Sequence, residues 1–212
     1  MKPLMTMLLS MVSLGLMAAP AAQSGAPVAG DYPGFTALID ESEMRLQLPE
    51  GYREKAVRPN EVFDYDRAVA SPDGRLEIRY TVRPFKRLHI EYDDPHGSAP
   101  DPNHIFPLMF QSVATRLSGG GYTPTKEYPV EQARQLFNAD WAAAGVFDVA
   151  PDYGSQYKQG LVLAMHRSTV ADAYVVFLFD DYAAVKKELK QVLSSLAFLP
   201  RARQGKNVAA RK

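Results

Sequence analysis

Apolar and polar residues alternate through Met44-Arg45-Leu46-Gln47-Leu48 before Pro49-Glu50-Gly51, and this predicts a half-buried strand running into a turn. Phe63 to Ala70 and Arg75 to Arg83 predict two further strands joined at Ser71-Pro72-Asp73-Gly74. That is a hairpin signal, because proline presets φ and glycine accepts the positive φ that closes the turn. In the second strand Leu76, Ile78, Tyr80 and Val82 share one face, and Glu77, Arg79 and Thr81 share the other. One side is therefore expected to be covered and the other wet. The pattern stops from Leu88 to Asn103, a stretch rich in Asp and Pro that reads as a long loop.

Helical spacing resumes at Phe106, Met109, Phe110, Val113 and Leu117, with Asn103 as the expected N-cap, Pro107 in the first turn and Gly119-Gly120-Gly121 as the stop. Val130 to Asp140 predicts a short helix. Ala143 to Val149, Gly160 to His166 and Ala173 to Phe179 then predict three strands, with turns at Pro151-Asp152-Tyr153-Gly154 and around Ser168 to Asp172. The third strand is apolar on both faces and should sit centrally, covered on both sides. A final helix is capped by Asp180 or Asp181 and carries an apolar stripe from Tyr182 through Val185, Leu189, Val192 and Leu193 to Leu196. Strands first, helices interposed, a three-strand meander and a closing helix predict a single α+β domain over residues 35–200, an antiparallel sheet covered by helices on two faces.

The ends of the chain read differently. An apolar run from Leu4 to Leu16 behind Lys2, followed by Ala19-Pro20-Ala21, predicts a cleaved signal peptide over residues 1–21. The run is too short and too interrupted to span about 30 Å of hydrocarbon comfortably, so no transmembrane segment is expected after cleavage. Residues 22–34, mostly Ala, Pro, Gly and Ser, predict a flexible leader, and residues 201–212 a disordered basic tail. The expected location is periplasmic or secreted. With no cysteine among 212 residues there is no disulfide, no lipidated cysteine, no thiol chemistry and no cysteine zinc site, so the domain must fold on its core alone. The formal net charge of zero hides an acidic domain, since residues 22–200 carry about −6 and the tail is purely basic. That argues against nucleic-acid binding by the domain.

The opening Met44-Arg45-Leu46-Gln47-Leu48-Pro49-Glu50-Gly51-Tyr52 and the ending, from Gly160-Leu161-Val162-Leu163 through Ala173-Tyr174-Val175-Val176-Phe177 to Ser194-Ser195-Leu196-Ala197-Phe198, resemble the PsbP-like and DcrB-like proteins over about residues 35–200. The resemblance implies an α/β/α sandwich. It also implies a role class, that of exported or lumenal accessory and assembly proteins with no shared catalytic residues, and it transfers no site. The loop from Leu88 to Asn103 departs from the family's pattern.

Three groups of side chains could carry chemistry. His89, His96 and His104 lie among Glu91, Asp93, Asp94 and Asp101, a donor set suited to a divalent metal, with Asp93, Asp94, His96 and His104 as the expected ligands. An acidic surface loop collects the same residues by composition, and the spacing matches no known ligand signature. His166, Asp172 and Ser168 could form a nucleophilic triad, with His as base and Asp orienting it, although no Gly-x-Ser-x-Gly elbow is present and a strand-end His with a turn Asp is commonly structural. Trp141 with Phe137 and Phe147 could line a ligand pocket or simply pack the core. The triple glycine is no phosphate loop, because no Gly-Lys-Ser/Thr follows it. The basic tail offers only a weak, salt-sensitive attraction to anionic lipid or polymer.

These features lead to the expectation of an exported, non-enzymatic accessory or binding protein that needs no cofactor and whose partner is an envelope protein or a small ligand. The alternatives are a metal-binding envelope protein using residues 89–104 and a hydrolase centred on His166.

Overall fold

The computed structural model describes residues 33–88, 101–154 and 156–201. The predicted signal peptide, most of the leader, the tail beyond Arg201, and His89, Asp93, Asp94 and His96 lie outside them. The first element is a helix the sequence reading did not assign, beginning at the last two residues of the expected leader: α1 (Pro33–Glu41), which places Phe35 in the core at 4% exposure with Leu38 and Ile39 packed beside it. Burying that one ring contributes about 1.5–3 kcal/mol, enough to hold a short helix of modest propensity on the sheet.

The strands are β1 (Met44–Leu46), β2 (Arg53–Lys55), β3 (Arg67–Ala70), β4 (Glu77–Pro84), β5 (Thr125–Glu127), β6 (Trp141–Asp148), β7 (Gln159–Arg167), β8 (Ala171–Phe179) and β9 (Leu196–Phe198). The remaining helices are α2 (Pro102–Leu117), α3 (Val130–Phe137), α4 (Pro151–Gly154) and α5 (Tyr182–Val192), with a 3₁₀ turn at Phe85–Arg87. Seven strands form one antiparallel sheet in the order β2-β3-β4-β8-β7-β6-β5. The strand read as apolar on both faces, β8, occupies the centre of this order, as its pattern demanded. The Ser71 to Gly74 turn joins β3 to β4, closed by a hydrogen bond from the Gly74 amide to the Ser71 carbonyl at 2.9 Å, with Gly74 at φ +74°.

Helices cover both faces, so the expected sandwich is the observed one. On one face Ile78, Tyr80 and Val82 of β4, Leu161, Leu163 and Met165 of β7, and Val175, Phe177 and Phe179 of β8 pack with Phe35, Phe137, Val185 and Leu189 from α1, α3 and α5. On the other, Val162, Ala164, Tyr174, Val176 and Leu178 pack under Phe110, Val113, Ala114 and Leu117 of α2, and Tyr153 of α4 joins the same cluster.

Several boundaries differ from the sequence reading, each for a local physical reason. The final helix ends at Val192, and Leu196 belongs to β9, which pairs antiparallel with β1 as a separate ribbon. Phe63 stays outside β3 because the Asn60 side chain accepts from the amides of Val62 and Phe63 at 3.0 and 3.2 Å, holding them in a turn. Asp101, not Asn103, caps α2, accepting from the Asn103 amide at 2.8 Å with Pro102 at the first helical position. Pro107 then lies inside the helix, beyond the first turn, and removes one donor from its ladder. Asn138 stops α3 with a left-handed cap at φ +51°, short of Asp140.

The largest difference concerns β4. Glu77, Arg79 and Thr81, expected on a wet face, are buried at 2%, 8% and 1% exposure. Arg79 pairs with Glu77 at 2.7 Å, donates to the Tyr153 carbonyl at 2.6 Å, and lies between the Tyr65 and Tyr153 rings at 4.7 and 4.6 Å from their centroids. Lys55 reaches the other Glu77 oxygen at 3.0 Å, joined there by Gln156 and Tyr157. Two charges of opposite sign, two residues apart on one strand face, can enter a core together when every lone pair and proton is met.

Candidate functional site

The candidate chemistry gathers at one end of the α2 face, where cross-strand pairing sets four side chains in a transverse row. Trp141 of β6 stands opposite His166 of β7, His166 opposite Asp172 of β8, and Asp172 opposite Arg83 of β4. Arg83 continues the row to Asp66 at 2.9 Å. Ser168, in the turn just past the end of β7, lies on the same side as His166, its hydroxyl 3.5 Å from the imidazole.

His166 is 2% exposed and hydrogen-bonded through Nδ1 to Asp172 Oδ1 at 2.7 Å. A carboxylate at Asp172 accepts from Nδ1, and in the neutral imidazole that tautomer leaves Nε2 as the acceptor. Nε2 faces the hydroxyl of the exposed Ser168 at 3.5 Å. Above the imidazole, Phe106 of α2 stacks at 3.9 Å between centroids and 14° between planes. Phe106 in turn touches Trp141 at 4.9 Å, and Phe85 lies 5.9 Å from the imidazole on a tilted contact. The three residues singled out from the sequence as a triad are thus brought together. Trp141 is a wall of the same place and packs against Phe106 and Phe110, whereas Phe137 belongs to the opposite core.

The turn that carries Ser168 is bound on every side. Its amide donates to Asp140 Oδ2 at 3.1 Å, the Thr169 amide to Asn103 Oδ1 at 2.7 Å, and the Val170 amide to the Arg167 carbonyl at 3.0 Å, with Thr169 at φ +64°. Arg201 contacts both oxygens of Asp140 at 2.6 and 2.7 Å. Burial pushes the Asp140 carboxyl up, but the Ser168 amide and Arg201 reverse that and hold it below the usual carboxylate range. Asp101 is also held low, chiefly by the Asn103 amide. Arg167 donates to the Leu199 carbonyl at 2.8 Å and lies over Phe198, so the segment after β9 is stitched to the same turn.

Acyl transfer at Ser168 has a base and an orienting carboxylate in place. It lacks free backbone donors beside the nucleophile, because the amides of residues 168, 169 and 170 are all spent on other acceptors. Such donors are worth about 10²–10³ in rate in serine hydrolases. Of the expected metal ligands only His104 lies within the described residues; it is 81% exposed and sits 3.5 Å from Asp101. Among the described residues no group of three or more His, Asp or Glu side chains is placed to hold a metal ion, and no helix is long and apolar enough to cross a membrane. The sequence reading missed Phe106, Asn103, Asp140 and Arg201; an N-cap motif and a tail arginine carry no signal of the strand turn they meet.

The class defined by this framework is the single-domain α+β sandwich with a helix-covered antiparallel sheet. Among solved structures, the solution structure of cyanobacterial PsbP (CyanoP) from Synechocystis sp. PCC 6803 is similar at 10% sequence identity, covering 74% of this chain and 88% of that one with a TM-score of 0.40. No residue role is carried across at that level. No family model and no curated protein matches the chain.

Proposed function

We propose that this chain is an exported accessory protein of the cell envelope, working by binding a protein partner or small ligand and neither turning over a substrate nor requiring a cofactor. One observation carries the reading: Ser168, the hydroxyl that faces the buried His166, sits in a turn whose three amides are already donated to Asp140, Asn103 and Arg167. A developing oxyanion there would find none of these three amides free without breaking the turn. The buried Glu77–Arg79 pair is likewise closed on itself, with Lys55, Gln156 and Tyr157 meeting the second Glu77 oxygen. The signal-peptide pattern of residues 1–21 supplies the address.

Two measurements test this. The N-terminal sequence of the protein recovered from expressing cells should begin just after Ala21; an intact Met1 on an intracellular product refutes export. Steady-state assays of the purified chain against ester, phosphoester and peptide substrates should show no sustained turnover above the Ser168→Ala variant. Multiple turnovers abolished by that substitution refute the non-enzymatic reading.

A further inference from the structure

We propose that Ser168 is a covalent modification site, taking an acyl group from a donor with a good leaving group, such as a thioester or aryl ester, with His166 as the base. The nucleophile is exposed in the β7–β8 turn while its base is 2% exposed, fixed by Asp172 at 2.7 Å and by the Phe106 ring stacked at 3.9 Å. This is the arrangement nucleophile activation requires: an accessible hydroxyl, a base within reach whose other nitrogen holds the proton, and a third group keeping it there. The 3.5 Å separation of Oγ and Nε2 is long for a hydrogen bond, as catalytic contacts often are before a substrate is bound.

The same geometry sets the donor class. With the neighbouring amides spent, the tetrahedral intermediate is stabilised by no backbone donor, so alkyl esters and peptides are too unreactive and only donors with stable leaving groups react. In the step, the serine Oγ to acyl carbon bond forms as the donor's C–S or C–O bond breaks. The Oγ proton passes to His166 Nε2 and from there to the departing thiolate or phenolate. Nothing is oxidised or reduced, and the product is an ester on Ser168.

The experiment uses the purified chain with p-nitrophenyl acetate at neutral pH, read by intact mass and peptide mapping. A single acetyl group on Ser168 is expected. His166→Gln should slow its formation about 100-fold or more, the contribution of a positioned base, and Ser168→Ala should abolish it. For Asp172, a positioning residue, the readout is the imidazole itself: ¹⁵N resonances should show the proton on Nδ1 in the native chain and a shift toward Nε2 in Asp172→Asn. Label spread over lysines with none on Ser168, or an unchanged rate in His166→Gln, overturns the proposal. Should His166→Gln fail to fold, the map of the native chain beside Ser168→Ala, a truncation at an exposed position, still decides whether Ser168 is the acceptor, and the imidazole resonances of the native chain decide whether Nε2 is free to act as base. A label that persists without turnover leaves the non-enzymatic reading intact, whereas sustained product release refutes that reading alone.

Discussion

Gly160→Ala gives a sharp measure of how tightly the α2 face of the sheet is packed. Gly160 is paired with Phe147 across β6 and β7, and a methyl group built on it would lie 2.4 Å from Phe147 Cζ and 2.9 Å from both Cε atoms. Phe147 is itself 4% exposed within the cluster that holds Leu117, Ala143, Tyr153 and Leu178, so the ring must retreat by about 1 Å into occupied space. Overpacking of this kind costs about 1–3 kcal/mol, and the upper end applies where three ring atoms collide at once. Against it stands the entropy lost by the unfolded chain when glycine becomes alanine, about 0.4–1 kcal/mol in favour of folding. The net expectation is a loss of about 2 kcal/mol, or about 4–8 °C in melting temperature for a domain of this size. Circular-dichroism melts and urea titrations of both proteins measure it. Adding Phe147→Leu should recover at least half of the loss, since leucine has no atoms at the ring's far edge. A single variant melting within about 1 °C of the native chain, or a double-mutant cycle without coupling, refutes the reasoning.

Other outcomes follow from the buried charges, the aromatic wall and the last helix. Arg79→Ala should cost about 3–5 kcal/mol by leaving Glu77 buried with an incomplete set of partners, and Arg79→Met with Glu77→Leu should cost much less; chemical denaturation compares them. Burial raises the Glu77 carboxyl, but Arg79 and Lys55 outweigh it and hold the folded value below the ordinary 4.5. Its contribution is therefore complete above about pH 4.5 and disappears as pH falls through the folded value, so urea midpoints should decline more steeply below pH 4.5 in the native chain than in Glu77→Gln. Trp141 is the one tryptophan of the sequence and lies 4.9 Å from Phe106, so Phe106→Ala should move its fluorescence to longer wavelength as water reaches the ring; an unmoved spectrum contradicts the stacked wall. Asp181 caps α5 by accepting from the Ala183 amide at 2.8 Å, and Asp181→Ala should cost about 1 kcal/mol in the same denaturation assay.

What could be read from the sequence was what neighbouring residues decide among themselves. The Ser71 to Gly74 hairpin, the doubly apolar β8 and the amphipathic helices α2 and α5 all announce themselves within a dozen residues, and all are present. The β1–β9 ribbon was illegible at its far end, because Leu196, Ala197 and Phe198 form a strand of three residues that continues the apolar spacing of the helix before it. The wet face assigned to β4 failed for the converse reason: Glu77 and Arg79 look solvated until Tyr65 and Tyr153 close over them, and neither partner is local. The site divides the same way. His166, Ser168 and Asp172 were visible as one turn, whereas the residues that tie the turn down arrive from α2, from the start of β6 and from the C-terminal segment.

The pairing of β1 with β9 also governs timing. Residues 44–46 meet 196–198, and β4 finds its inner neighbour β8 about a hundred residues later in the chain. A chain that leaves a ribosome or a membrane channel N-terminus first must therefore keep its opening strands waiting, unpaired along one side, until almost all the rest has emerged. The β2-β3-β4 hairpins can pair early, but the side of β4 that meets β8 stays open, since its long-range pairing comes only after the loop entropy of the whole span is overcome. Completion of the sheet and of the ribbon therefore waits for β8 and β9.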